Sequence, residues 1–314
     1  MTTLQRSSTE PVPWAHLPDL VNEETLWLKN FISTQTQRAY SLAFREFCGF
    51  LNISTPEAFR SVTAAHIVSY RDFLLGEKGM KHRSVRNRMA ALSSCYRFLQ
   101  HRGVVNRNPV EGIERPKVDE SRGETPVMTA QQVRRILNEP DITTLKGARD
   151  SAILHLLLYM GARIGAPRSI RIEDFFEDKG FYVLRWKNKG GENHVEPVPP
   201  PMQHALLRYL SLREESDNPK APLFARVKAR RGTNAPLGIK TFSNIWELYR
   251  EKAGLPAQFT PHSARATFAT TADEAGVPIQ DIQRTLGHKR VSTTETYVHS
   301  RRDYKDSAVW AVKY

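Results

Sequence analysis

The sequence predicts a mainly α-helical protein with a small antiparallel β-sheet, in which a helical bundle precedes a mixed α+β domain. The chain has 314 residues, and at about 150 residues per domain this length predicts two domains. Apolar residues recur at helical spacing through the first third, whereas two short stretches typical of strands occur in the second half. Between these regions, residues 115–126 are polar and proline-bearing, as is typical of a linker.

Three apolar stripes at helical spacing predict the bundle, which we place at residues 22–114. The stripes occupy residues 40–51, 67–74 and 85–99. Thr63 precedes the second stripe and has a side chain that caps helices, and Gly76 follows it as a stop. Residues 1–21 are polar and are expected to form a flexible N-terminus.

The second domain is expected at residues 127–302 and begins with a capping box formed by Thr129 and Gln132. Residues 147–160 are strongly apolar and predict a buried helix. Residues 181–186 and 194–198 predict two strands around a turn that contains two glycines. Further helices are predicted at residues 201–213, 239–253, 262–275, 278–286 and 292–299. The chain then continues into a C-terminal segment, residues 303–314.

The charge of the chain favours a polyanion partner. Lysine and arginine number 46 against 33 acidic residues, which gives a net charge of +13. Eight basic residues and no acid lie between Glu77 and Glu111, and a loop at residues 225–237 is also basic. We expect these regions to contact nucleic acid. The expected contacts are Lys78, Lys81, Arg83, Arg86, Arg88, Arg226, Lys228, Arg230 and Arg231.

Several classes of protein are excluded by what the sequence lacks. No apolar run approaches the ~18 residues that a membrane span needs. Two cysteines are too few for a disulfide scaffold or a four-cysteine zinc site, and they are expected to be buried thiols of a cytoplasmic protein. The phosphate-binding loop, the dinucleotide fingerprint, the serine-hydrolase elbow and the zinc-protease helix are all absent. We therefore expect no metal and no nucleotide cofactor.

Six polar residues of the second domain form a candidate catalytic set, although each alone has an ordinary structural explanation. They are Arg163, Lys189, His262, Arg265, His288 and Tyr297. Together they suit phosphoryl transfer without a metal. Two guanidinium groups neutralise charge on the phosphate oxygens, a phenol attacks once its proton is removed, and an amine protonates the leaving oxygen.

The second domain resembles the catalytic domain of the tyrosine recombinases, the phage integrase family. The resemblance lies in GARI around Arg163, in PHSARATFAT around His262 and Arg265, and in LGHKRVSTTETYVH, which contains His288 and Tyr297. Lys189 stands eight residues before Pro197, as the family's lysine does before its strand. TQRAYSLAFREFCGF and NPVEGIERPK more weakly resemble the family's N-terminal core-binding domain.

The resemblance implies a two-domain DNA clamp that acts as a site-specific recombinase. Tyr297 would form a 3′-phosphotyrosine, and Arg163, Arg265 and His288 would stabilise the transition state. His262 would exchange the tyrosine proton and Lys189 would protonate the leaving 5′ oxygen. The implied partners are double-stranded DNA with a specific core site, a homotetramer on two DNA sites that exchanges strands through a Holliday junction, and accessory proteins. The C-terminal segment would dock on a neighbouring protomer.

The sequence departs from the family pattern at two positions. The family usually has an acid three residues after its first arginine, where this chain has Ala166, and an apolar residue where this chain has Glu196. Lys187 is also close enough to Lys189 to take its role. Two other interpretations stay open: a type IB topoisomerase-like nicking-closing enzyme, and a non-catalytic architectural DNA-binding protein on the same fold.

Overall fold

The computed structural model describes residues 23–117, 125–187, 192–214, 217–227 and 235–298. The predicted N-terminal region 1–21 and C-terminal segment 303–314 lie outside these ranges. The chain divides into two compact units, Met1–Asp119 and Glu120–Tyr314. Within the described ranges, no helix is both long enough and apolar enough to cross a membrane.

The first unit is a helical bundle, as the sequence predicts. Its helices are α1 (Glu23–Lys29), α2 (Thr34–Phe50), α3 (Pro56–Arg60), α4 (Ala64–Leu75) and α5 (His82–His101). Thr63 is the N-cap residue of α4, and its backbone N–H donates to His66 Nδ1 at 3.1 Å. The side chains of Ser33 and Thr55 cap α2 and α3 in the same region.

Helix α5 forms the centre of the bundle and contacts α1, α2 and α4. Its apolar stripe is fully buried, and each large side chain there contributes roughly 1.5–3 kcal/mol by leaving water. Tyr96 is buried with its hydroxyl satisfied, because it donates to Phe59 O at 2.8 Å. Cys48 and Cys95 are free and buried, as predicted, and burial raises the pKa of Cys48 to about 12.

The second unit combines helices with a three-stranded antiparallel sheet. The helices are α6 (Ala130–Asn138), α7 (Leu145–Tyr159), α8 (Pro200–Ser211), α9 (Ile239–Lys252), α10 (Pro261–Glu274), α11 (Ile279–Leu286) and α12 (Val291–Glu295). The strands are β1 (Phe175–Asp178), β2 (Phe181–Lys187) and β3 (Asn193–Pro197), in the order β1-β2-β3. The predicted capping box at Thr129 and Gln132 begins α6.

The core of this unit surrounds α7, which is buried on nearly every face and packs against α8. Asp150 on this helix is fully buried, and its carboxylate accepts from Arg149 at 2.7 Å and from the Tyr249 hydroxyl at 3.1 Å. Arg149 also donates to Ala225 O at 3.0 Å, which fixes the start of the basic loop. These paired charges satisfy the polar groups that α7 brings into the core.

The structure adds helices α1 and α3 to the three predicted in the first unit, and in the second unit it differs from the prediction at strand β1 and at the end of α12. Strand β1 was not predicted, because its four residues FFED do not alternate in polarity. Helix α12 ends at Glu295, whereas a helix to residue 299 was expected. The Thr296 hydroxyl donates to Thr293 O at 2.8 Å, a local bond by which threonine competes with helix continuation. Tyr297 therefore lies in a turn after α12.

Candidate active site

The structure brings together five of the six predicted catalytic residues from four parts of the second unit. Arg163 follows α7, and His262 and Arg265 lie in the first turns of α10. His288 follows α11 and Tyr297 follows α12. Lys189, the sixth, lies outside the described residues, as do Lys228, Arg230 and Arg231 of the basic loop.

The C-terminal end of α11 organises the two arginines. Gly287 ends this helix in the left-handed conformation, with φ +59° and ψ +46°, and the last carbonyls of a helix have no partner within it. Arg163 donates to Leu286 O and Gly287 O at 3.4 Å each, and Arg265 also donates to Leu286 O. The carbonyl end of a helix favours cations, so α11 holds two guanidinium groups side by side.

Arg265 is the most deeply buried member of the site, with 3% of its surface exposed. Its Nη1 donates to Gly161 O at 2.6 Å, and its Nη2 lies 2.7 Å from His288 Nε2. Burial, and then the neighbouring Arg163, lower its pKa to about 10, so it stays charged at neutral pH. Its Nε is buried and has no hydrogen-bond partner among the described residues.

His288 is held as a neutral ring. Since arginine only donates, His288 Nε2 accepts from Arg265, and Nδ1 carries the proton toward Thr294 Oγ1 at 2.9 Å. Burial, followed by the charges of Arg265 and Arg163, lowers the pKa of His288 to about 3. The ring also stacks on Tyr297, with centroids 5.2 Å apart. In this arrangement His288 acts on the site by orienting Arg265 and Tyr297.

Tyr297 has a base within hydrogen-bond reach. Its hydroxyl oxygen lies 2.9 Å from His262 Nε2, and the Arg265 guanidinium is 5.9 Å from the centre of its ring. The backbone of Tyr297 is anchored as well, because the buried Thr270 hydroxyl donates to its carbonyl at 3.0 Å. The phenol therefore has both a proton acceptor and nearby positive charge, the two conditions that make it nucleophilic.

Four supporting residues were missed from the sequence: Gly161, Thr270, Gln283 and Thr294. Thr270 and Thr294 anchor Tyr297 and His288, and Gln283 donates to His288 O at 2.9 Å. A single sequence gives these polar residues no distinguishing signal, because each acts through contacts between elements. For Gly161 the sequence does carry a signal, although it was missed. A glycine between a buried helix and a candidate catalytic arginine indicates a backbone position with unusual dihedral angles.

At residue 166, where the family usually has an acid, this chain has a buried alanine, and Arg163 is oriented by other groups. Ala166 is buried at the start of a short 3-10 helix, Ala166–Ser169, and its N–H donates to Arg163 O at 2.8 Å. Arg163 is oriented by the carbonyls at the end of α11.

Within the described ranges, no group of three or more His, Cys, Asp and Glu side chains has a metal-binding arrangement.

The basic residues predicted to contact nucleic acid differ in their surroundings. Lys78, Lys81 and Arg83 are exposed, and Arg86 is half-buried. Arg88 donates to Glu46 of α2 at 2.5 Å and is only 19% exposed. The acid-free stretch of sequence is thus partly neutralised in space by acids from other helices. In the second unit, Arg226 is exposed at the start of the basic loop.

Comparison with protein families and known proteins gives a consistent result. The family model described as the phage integrase family matches residues 126–303, and the model of the phage integrase N-terminal SAM-like domain matches residues 23–103. The chain is 30% identical over 293 residues to a tyrosine recombinase XerC of Oceanobacillus iheyensis, covering 90% of each chain. It is 28% identical over 276 residues to a tyrosine recombinase XerD of Listeria monocytogenes, covering 85% of this chain and 89% of that one.

Solved structures share the fold. The XerH site-specific recombinase in a post-cleavage complex with a palindromic difH substrate has a TM-score of 0.69 at 16% identity, covering 88% of this chain and 80% of that one. The lambda integrase tetramer bound to a Holliday junction has a TM-score of 0.66 at 18% identity, covering 90% and 77%. Both match the predicted fold class, a helical bundle joined to a mixed α+β domain.

Proposed function

The chain belongs to the phage integrase family, and from that premise we propose that it is a site-specific DNA recombinase that cleaves and rejoins strands through a 3′-phosphotyrosine. One observation carries the proposal: the Tyr297 hydroxyl lies 2.9 Å from His262 Nε2, beside two arginines held by the end of α11. The XerC and XerD relatives, which the chain matches over most of its length, support the same activity.

In the proposed cleavage step, the Tyr297 oxygen forms a bond to the phosphorus of a DNA phosphodiester. The bond from phosphorus to the 5′ oxygen breaks, and the phenol proton passes to His262 Nε2. Arg163 and Arg265 bind the non-bridging oxygens and stabilise the charge that builds on them, with His288 keeping Arg265 in place. The phosphotyrosine retains the energy of the broken ester, so rejoining needs no nucleotide.

The leaving 5′ oxygen needs a proton, and we assign this role to Lys189. Residue 189 lies in the connection between β2 and β3, since β2 ends at Lys187 and β3 begins at Asn193. Lys187, the alternative, is exposed at the end of β2. A general acid at this position contributes roughly 10²–10⁴-fold to the rate. The cleavage rates of Lys189→Ala and Lys187→Ala therefore show which lysine supplies the proton.

The wider proposal concerns assembly and place of action. The double-stranded core site would be held by a clamp formed from a core-binding domain at 22–114 and a catalytic domain at 127–302, joined by a linker at 115–126. Four protomers would exchange strands through a Holliday junction, with residues 303–314 docking on a neighbour. A structural neighbour, the lambda integrase tetramer on such a junction, supports this assembly. The protein would act on DNA in the cytoplasm, at the nucleoid, with accessory proteins as further partners.

The proposal is tested by trapping covalent protein–DNA adducts in cells that express the chain or its Tyr297→Phe variant. Denaturing lysis, capture of the protein and sequencing of the attached DNA give the ends of the cleaved strands. Adducts at sharp, paired sites that disappear with Tyr297→Phe are expected. Scattered ends would indicate a topoisomerase-like enzyme, and DNA binding without any adduct would indicate the architectural protein.

A further inference from the structure

The end of α11 receives a third basic side chain, from the sheet. His194 of β3 lies with Nε2 2.9 Å from Thr285 O, one residue before the carbonyls that hold the arginines. Three consecutive carbonyls, those of Thr285, Leu286 and Gly287, therefore accept from His194, Arg265 and Arg163. Adjacent carbonyls at the end of α11 therefore bind both the sheet and the two arginines.

Glu196 contacts both His194 and Thr285, and it is one of the two residues at which the chain departs from the family pattern. Its Oε1 lies 3.2 Å from His194 Nε2, and the Thr285 hydroxyl donates to its Oε2 at 3.5 Å. Both neighbours of Nε2 are acceptors, so this nitrogen carries the ring proton. The side chains are 11% and 16% exposed, and the Trp186 ring packs edge-on against His194 with centroids 4.7 Å apart.

The position of His194 in the sheet gives the link a consequence for catalysis. Among the residues that the structure describes, β3 is an edge strand of the sheet and pairs with β2. Lys187 stands opposite Asn193 at the end where the connection carrying residue 189 begins. His194 is the next residue along β3 and pairs with Trp186. A contact at this end of the ladder restrains the strands on both sides of the connection relative to α11.

We propose that His194 and Glu196 are positioning residues, which set the β2–β3 hairpin against the carbonyl end of α11. Their contacts would place the hairpin so that its proton donor acts at the same phosphate as the two arginines. The inference rests on the proposed function, in which Lys189 protonates the leaving oxygen. Neither residue touches the reacting atoms, so their loss should affect leaving-group departure specifically.

The experiment compares two DNA substrates in single-turnover cleavage: ordinary DNA, and DNA in which sulfur replaces the bridging 5′ oxygen at the cleaved phosphate. A thiolate leaves without a proton, so the sulfur substrate bypasses the general acid. His194→Ala is expected to cleave ordinary DNA about 10- to 100-fold more slowly than the unsubstituted protein, the scale of a misplaced catalytic group. On the sulfur substrate it should cleave within about twofold of the unsubstituted protein.

Conservative and matched variants separate positioning from general damage. His194→Gln keeps an N–H donor at similar reach and should retain most of the rate on ordinary DNA. His204→Ala, which removes an exposed histidine of α8, should change neither rate. If His194→Ala does not fold, Glu196→Leu replaces it and should show a smaller defect with the same recovery. Binding to a half-site should be unchanged in every variant.

Lys189→Ala distinguishes the two levels of the proposal. If the sulfur substrate restores the cleavage rate of Lys189→Ala but not that of His194→Ala, the positioning role is overturned and the proposed function stands. The positioning role is also overturned if His194→Ala cleaves ordinary DNA at the unsubstituted rate. If neither Lys189→Ala nor Lys187→Ala recovers, the assignment of the leaving-group proton to the hairpin fails first.

Discussion

Replacing Gly161 by alanine should damage both folding and catalysis, because this glycine is constrained in two ways. Its φ is +56°, a backbone conformation that side chains disfavour. A Cβ placed there would lie 2.7 Å from Leu286 Cδ2 and 2.8 Å from Phe268 Cδ1. The carbonyl of the same residue accepts from Arg265 Nη1, so any shift of this backbone moves a proposed catalytic arginine.

The size of the effect follows from these two constraints. The left-handed conformation costs about 1–2 kcal/mol for a residue with a Cβ, and overpacking of a tight core costs about 1–3 kcal/mol. We therefore expect Gly161→Ala to lower the free energy of unfolding of the second unit by about 2–5 kcal/mol. If the backbone moves instead, a displacement of about 1 Å at Arg265 should slow single-turnover cleavage about 100-fold.

Two glycines provide matched controls for thermal unfolding and for single-turnover cleavage. Gly276 has a φ of +81°, but no described atom lies within 4 Å of the point where a Cβ would stand, so Gly276→Ala should show only the backbone cost. Gly165 has a φ of −87° and open space, so Gly165→Ala should show neither cost. Equal stability and equal rates for Gly161→Ala and Gly165→Ala would refute the reasoning.

Three further predictions concern charge. The unfolded chain protonates its histidines below about pH 6.5, whereas His288 in the folded chain, with a pKa of about 3, does not. The free energy of unfolding should therefore fall as pH drops from 6.5, by at most about 1.4 kcal/mol per pH unit from this group. In urea unfolding, the free energy of unfolding should differ less between pH 7 and pH 5 for His288→Gln than for the unsubstituted protein. An equal difference would contradict a neutral His288 in the folded chain. In the bundle, replacing both Lys81 and Arg83 by alanine should flatten the dependence of log Kd on log salt by about 0.9 per lost phosphate contact. Arg88→Ala leaves Glu46 without its partner and should lower the unfolding temperature with little change in the salt slope; a flattened slope would make Arg88 a DNA contact.

Much of the fold was predictable because local signals and tertiary structure agree. Thr129 and Gln132 cap α6, Thr63 caps α4, and the apolar stretch of α7 is buried as its composition predicts. Glycines mark the ends of helices where a positive φ is needed, as at Gly287. Strand β1 escaped prediction because it forms by pairing with β2, which its own four residues do not encode.

The candidate site was predicted by residue type, but its electrostatics were not. The sequence shows that Arg265 and His288 belong to one pattern, yet not that the histidine accepts from the arginine and stays neutral. The role of Glu196 was equally hidden. As a departure from the family pattern it had no explanation until the strand placed it beside His194 and Thr285. Contacts between distant elements decide such roles, and one sequence does not report them.

The most direct test of the proposed function identifies the residue that bonds to DNA. Purified protein is incubated with a core-site duplex nicked close to the cleaved phosphate, so that the short 5′-hydroxyl strand diffuses away and the adduct accumulates. Protease digestion and mass spectrometry then locate the modified residue. We predict a single 3′-phosphate linkage on Tyr297, absent from Tyr297→Phe and slowed in His262→Ala. A linkage on Tyr304 or on another residue, or one that persists in Tyr297→Phe, would contradict the account.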